Sequence, residues 1–254
     1  LFPYTTLFRS EAHNFNHLPG NERKYSSHAT LKEYLKEALS GSKIIAMEYS
    51  KLNSIPYLSY VDAGTFEFVK TFDVEIISSA NLITLFSALW TESQYNENKE
   101  VANSLTEIVD ASFSLIKKEL LAKNKITEFD VQQFILNELA KRKYFTDHPP
   151  IIGVNENSAN PHYAPTKDNF KEIKIGDFVL IDLWAKLDKE DGVWSDITWV
   201  GYAGETIPEK YINVFNIVRD ARNAALNLVK ERFASKKELR GYEVDDAARK
   251  IIND

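Results

Sequence analysis

The sequence predicts an α+β protein of two domains: a small one of alternating helices and strands, then a larger one of long amphipathic helices around a strand pair. Three observations carry this. Between residues 30 and 90, short apolar runs alternate with helix-period segments, the pattern of a small α/β domain with a partly parallel sheet. At residues 91–100 the run TESQYNENKE is polar and almost free of apolar side chains, which places a domain boundary there. Beyond it the helices lengthen, and two strand-like stretches around Asp182 and Asp196 follow a loop rich in Pro, Asn and Ser.

Composition narrows the function classes. The 254 residues are 44% hydrophobic and 27% charged, enough for one large domain or two smaller ones. The 37 acidic and 31 basic residues are spread along the chain, for a net charge of −6, and no long basic block offers itself to phosphate or anionic lipid. Nucleic acid and membrane partners are therefore not expected. Cysteine is absent, which excludes disulfides, thiolate nucleophiles and Cys-based metal sites, so any metal is held by oxygen and imidazole. No apolar run approaches the roughly 20 residues that span a bilayer, and a cytoplasmic location is expected.

Taken in order, the first ten residues, LFPYTTLFRS, read as the translation of a sequencing adapter joined in frame, since the one methionine is Met47. They are left out of the fold, and the domain from residue 11 to 90 is expected to lack its first strands. Thr30 and Glu33 form a capping box that opens a helix through Ser40, with Gly41 as its stop. KIIAMEY (43–49) reads as a buried strand, 63–72 as a helix, 74–79 as a strand and 80–90 as a helix. After the boundary, a long helix to about Leu121 carries Val101, Leu105, Ile108, Val109, Phe113, Ile116 and Leu120 on one face. Thr127 caps the next, striped by Val131, Phe134, Ile135 and Leu139. Residues 149–166 are loop with one short apolar strand. The two strand candidates follow, joined by LDKEDG as a turn. A helix over 209–233 turns Val214, Ile217, Val218, Ala221, Ala225, Leu228 and Val229 inward, and EVDDAARKIIND opens a last helix.

Asp182 and Asp196 lie in stretches that otherwise read as buried strand, and burying an unpaired charge is costly. Alternation puts Asp182 on the face of Leu180 and Trp184, and Asp196 on that of Trp194 and Thr198. Paired as a hairpin, the strands can aim both acids into one cavity, where a divalent cation is the economical counter-charge. The residues also allow Asp182 to cap a neighbouring helix and Asp196 to end a strand; Asp188, Glu190 and Asp191 read as solvated.

The run FVLIDLWAKL…GVWSDITWVGYAG resembles the pita-bread metallopeptidases, the group of methionine aminopeptidase, aminopeptidase P and prolidase, with creatinase as a metal-free relative. NENSANPHYAPT resembles that family's substrate loop. SKIIAMEYSKLNSIPYLSYVDAGTFEFVK is similar to the end of a creatinase-type N-terminal domain, and GYEVDDAARKIIND to the helix before the family's first downstream histidine motif.

The resemblance implies a partial creatinase-type α/β domain over 11–90 and an incomplete pita-bread catalytic domain over 91–254. It implies that Asp182 and Asp196 ligate a pair of divalent metals, manganese or zinc with cobalt or iron as alternatives, and that His162 contacts the scissile amide. The implied reaction is removal of the N-terminal residue from peptides with proline second, by an aminopeptidase or dipeptidase; homodimers are common in similar proteins. Trp184, Trp194 and Trp199 would line a proline pocket or belong to the core. His148 would line the cavity, and His13, His17 and His28 are structural.

Two departures stand out. Thirteen residues separate the aspartates, more than the family's usual turn, and the bulky LWA replaces its Gly-containing stretch. No histidine follows His162, and Glu205, Glu209, Glu231, Glu238 and Glu243 sit in contexts unlike the family's strand-borne glutamates. The expectation is a chain holding two of five metal ligands, inactive by itself. A metal-free creatinase-like amidine hydrolase and a non-catalytic peptide-binding protein are the other classes.

Overall fold

The computed structural model describes residues 5–8 and 21–253, which fall into two compact units dividing between Thr91 and Glu92. His13 and His17, and residues 1–4, 9 and 10 of the leader, lie outside the described residues.

The N-terminal unit opens with parallel strands β1 (Thr5–Phe8) and β2 (Asn21–Lys24). Helix α1 (His28–Ala38) starts one turn before the expected box. Ser27 is its N-cap, with Oγ accepting from the Thr30 N–H at 3.2 Å while Thr30 Oγ1 accepts from the Ser27 N–H at 3.1 Å. A Ser–Thr pair thus supplies the reciprocity assigned to Thr30 and Glu33. Gly41, at φ +84°, turns the chain toward β3 (Ile44–Met47). Helix α2 (Ala63–Val69), capped by Asp62, leads to β4 (Glu75–Ser78), which pairs parallel with β3, and α3 (Ala80–Ser87) follows. The strand at 44–47 is not buried as expected: Ile45 is buried, but Ile44 is 53% exposed, because a two-stranded sheet with short helices covers little area.

The C-terminal unit begins with α4 (Glu92–Leu121). The polar run at which the domain boundary is expected forms its first turns, and the division between the units falls at the start of that run. Its polar side chains have partners: Asn98 Nδ2 donates to Trp194 O and Ser195 Oγ, both at 2.8 Å, and Lys189 Nζ reaches Glu97 at 2.8 Å. Hydrogen bonding fixes the start of the helix, and apolar packing fixes the rest. Val101, Leu105, Ile108, Val109 and Ile116 of α4 meet Val131, Ile135 and Leu139 of α5 (Glu128–Lys141) in one core. Thr127 caps α5 in a box with Asp130.

The helices cover one face of an antiparallel sheet whose central strand is β7 (Phe178–Leu187). β8 (Ser195–Tyr202) lies on one side of it, and β6 (Ile151–Val154) and the short β5 (Tyr144–Phe145) on the other. Along β7, Val179, Ile181, Leu183 and Ala185 are buried against the helices, while the alternate residues are half-buried. Two glycines permit close approach. A Cβ on Gly201 would sit 2.5 Å from the Phe113 ring of α4, and one on Gly153 would sit 2.8 Å from the Ser158 backbone, where the 3-10 turn Asn155–Ala159 folds back over β6.

Helices α6 (Glu209–Ala234) and α7 (Gly241–Asn253) pack on each other, tied by Arg232 Nη2 donating to Glu243 at 3.0 Å. The stripe expected inward on α6 is mostly not inward. Ala221 is buried and Ala225 and Leu228 are half-buried, but Val214, Ile217, Val218 and Val229 are exposed, since nothing among the described residues covers that side. No described helix is long and apolar enough to cross a membrane.

Candidate metal centre

The β7–β8 register sets the geometry. Asp182 stands opposite Thr198 and Trp184 opposite Asp196, so the two aspartates are diagonal neighbours on one face of the sheet. That face is the one turned away from the helices. The strands are therefore buried on one side only, which corrects the expectation of two buried acids: Asp182 is half-buried and Asp196 is exposed. A cleft of about 490 Å³ opens over them, walled by Trp184, His148 and the loop from Pro161 to Ala164.

The acids are not equivalent. Asp182 accepts a 2.7 Å hydrogen bond from Thr198 Oγ1, which orients its carboxylate. The Asp196 carboxyl is pushed above the usual carboxylate range, first by desolvation among its neighbours and then by the negative charge of Asp182. Two carboxylates in this relation suit a divalent cation, which offers hard oxygen ligation and removes the repulsion. No other grouping adds to the pair: among the described residues, no three His, Cys, Asp or Glu side chains are arranged to hold a metal ion.

The wall beside the acids is braced. Trp184 Nε1 donates to Asp147 Oδ1 at 2.7 Å, and that bond, with help from His148, holds the Asp147 carboxyl below its ordinary range. Trp194 is set aside from the cleft, beside Phe145 and under the Lys186 ammonium, and Trp199, opposite Ile181, belongs to the other face. Glu238 and Glu243, declined as ligands, pair with Arg240 and Arg232.

His162 is exposed at the cleft edge, its backbone N–H donating to Asn160 Oδ1 at 3.0 Å. Its imidazole is free to meet a bound molecule. The residue that sequence reasoning missed is Glu128, with none of its surface exposed. Glu128 Oε1 accepts from the Val154 N–H at 2.7 Å and Asn157 Nδ2 at 2.9 Å; Oε2 accepts from Tyr163 OH at 2.5 Å and the Lys171 N–H at 2.6 Å. Burial and this carboxylate push the Tyr163 phenol well above its ordinary range. In the sequence, Glu128 looks like an ordinary first-turn acid, because its partners lie 26 to 43 residues away.

A sheet with helices on one face and an acid-floored cleft on the other is the architecture of the pita-bread metallopeptidases. The chain belongs to metallopeptidase family M24, whose sequence profile matches residues 99–254. A Mycoplasma genitalium protein provisionally described as an Xaa-Pro aminopeptidase is 33% identical over 139 residues, 54% of this chain and 36% of that protein. A prolidase from Pyrococcus furiosus superposes with a TM-score of 0.53 at 19% identity, covering 98% of this chain and 65% of that one. A cytosolic X-prolyl aminopeptidase from Caenorhabditis elegans, described as having a di-nuclear active site, superposes with a TM-score of 0.61 at 16% identity, covering 94% and 37%. The chain thus spans about a third of the curated relative and less than two thirds of the prolidase.

Proposed function

We propose that this chain carries part of the active site of a metal-dependent peptidase that hydrolyses the bond between an N-terminal residue and proline. The observation that carries the reading is the placement of Asp182 and Asp196 on one cleft-facing side of the β7–β8 hairpin, with His162 at the rim. Membership of family M24 and the likeness to an Xaa-Pro aminopeptidase support it.

In this reading Asp182 and Asp196 each give carboxylate oxygens to a pair of divalent cations, manganese or zinc before cobalt or iron. When bound, such cations supply Lewis acidity toward a peptide carbonyl and lower the pKa of water. Thr198 keeps the Asp182 carboxylate turned into the cleft. His162 donates a hydrogen bond to the scissile amide or to the charge that develops on it, which favours the transition state over the ground state. Trp184 gives an apolar wall against which a proline ring packs.

The test is calorimetric titration of the 254-residue chain with Mn²⁺, beside Asp182→Asn and Asp196→Asn. We expect weak binding that either substitution reduces by about tenfold or more, given that charge-assisted oxygen ligation is lost. Binding that neither substitution changes overturns the site. With two ligating carboxylates brought together, the chain alone is expected to show no turnover of an Xaa-Pro peptide with Mn²⁺ or Zn²⁺. The longest gene product that contains it is expected to cleave Xaa-Pro peptides in preference to Xaa-Ala controls. Equal cleavage of both would remove the proline assignment.

A further inference from the structure

We infer that Glu128 is the positioning residue of this site: one buried carboxylate ties down the loop that carries His162, and so sets where the imidazole stands over Asp182 and Asp196. The inference rests on the reading of those aspartates as the metal pair.

The geometry singles Glu128 out. Three of its four donors, Asn157, Tyr163 and Lys171, come from successive points along the segment that leaves β6 and returns toward β7. The fourth, the Val154 N–H, is at the end of β6 itself. His162 lies between the first two loop anchors and directly beside the second. The tight turn around it is closed by the Tyr163 N–H donating to Asn160 O at 3.0 Å. Every neighbour donates, so the carboxylate acts purely as an acceptor with both oxygens doubly used. Its place in the first turn of α5 adds the favourable end of the helix dipole. The rigid part of the unit, α5 with its core stripe, is thereby joined to the middle of the loop by this side chain, while the loop's far end is held by backbone pairing, the Glu128 N–H donating to Lys171 O and the Ile173 N–H to Ile126 O, both at 2.9 Å. Neither oxygen points to the cleft acids, so Glu128 acts on the chemistry only through the loop.

Replacement by glutamine keeps the shape and breaks the logic. Its NH₂ would face two donors, and a backbone N–H cannot reverse its role as the tyrosine hydroxyl can. The experiment compares the 254-residue chain with Glu128→Gln and Tyr163→Phe. Hydrogen–deuterium exchange is followed along the chain, and proton NMR follows the histidine rings as Mn²⁺ is added, with His162→Ala identifying the His162 signals.

In E128Q, exchange over residues 155–171 is expected to speed up by about tenfold or more while the α4 and α5 core amides stay slow. Mn²⁺ is expected to bind E128Q as it binds the parent, yet to broaden the His162 ring several-fold less. If E128Q does not fold, Y163F decides, with a smaller rise in exchange centred on residues 160–164 and weaker broadening of His162. Faster loop exchange with unchanged broadening reduces Glu128 to a structural staple and overturns the positioning role. Unchanged loop exchange overturns it outright. If Mn²⁺ leaves every histidine of the parent sharp, the metal reading fails, and the loop exchange alone judges Glu128.

Discussion

Helices α4 and α6 are the longest in the C-terminal unit, 30 and 26 residues, and both carry an apolar stripe at helical spacing. In α4 Val101, Leu105, Ile108, Val109 and Ile116 of the stripe are buried and Phe113 is half-buried against the core; in α6 Ala221 is buried while Val218 stays 58% exposed. The difference lies in what each helix meets. α4 lies along β7 and β8, where Gly201 lets the Phe113 ring come close. α6 lies along α7 and meets the sheet at its first turns, where Tyr211 stacks on Phe178 at 5.1 Å. Periodicity tells which side of a helix seeks an apolar partner; the fold decides whether it finds one.

If that contrast holds, the largest effect belongs to the middle of the α4 stripe. Leu105 is fully buried among α4, α5 and the sheet, so Leu105→Ala is expected to cost about 2–5 kcal/mol in chemical denaturation, from lost burial plus the cavity left behind. A loss below about 1 kcal/mol would mean that the core relaxes freely around α4, and the contrast would weaken. Next comes Gly201→Val, which forces a branched side chain into the space of Phe113. The ring can swing, so a loss of about 1–3 kcal/mol is expected rather than unfolding.

The same contrast explains what was legible in the sequence. The α4 and α5 stripes, the Thr127 cap and the β7–β8 hairpin could be read because each depends on neighbours a few residues apart. The start of α4 could not, since its polar turns are fixed by Trp194, Ser195 and Lys189, 92 to 97 residues downstream. Asp182 and Asp196 were legible as a same-face pair through strand alternation and family likeness. Their exposure was not, because alternation does not say which face the helices cover. Glu128 was invisible for the reason α4's start was: its role exists only once four distant donors converge on it.

A smaller effect tests whether the polar rim of the α4–α5 pair adds to the core. Glu138 is paired to Lys141 at 2.6 Å and to Arg142 at 2.5 Å, and Arg142 also approaches Glu107 of α4 at 3.8 Å. The bond to Lys141 first, and that to Arg142 next, hold the Glu138 carboxyl below its ordinary range. A carboxyl depressed by folding contributes stability above its unfolded pKa, roughly 4.3, and that contribution is lost as pH falls through the lower folded value. Between pH 6 and pH 3, Glu138→Gln is therefore expected to lose less stability than the parent, by up to about 1 kcal/mol for pairs this near the surface. Equal acid sensitivity in both proteins would mean that the ion pairs at the end of α5 add nothing measurable to the core.

The smallest effect is expected on α6. Val218 borders a groove with Tyr211, Val214, Phe215 and Val200, but most of its surface faces solvent. Val218→Ala removes little buried area, and alanine is the better helix former at an exposed site by a few tenths of a kcal/mol. Stability is expected to stay within about 0.5 kcal/mol of the parent, on the favourable side, and Val218→Asp is expected to be tolerated where a charge at Leu105 would not be. The measurement is thermal unfolding at two protein concentrations at least tenfold apart. A loss of about 1.5 kcal/mol or more in V218A, or a melting temperature that rises with concentration in the parent and not in V218D, would show that the α6 stripe is covered in solution. α6 would then resemble α4, with its partner supplied from outside the chain, and the two helices would differ in where the apolar partner comes from rather than in whether one exists.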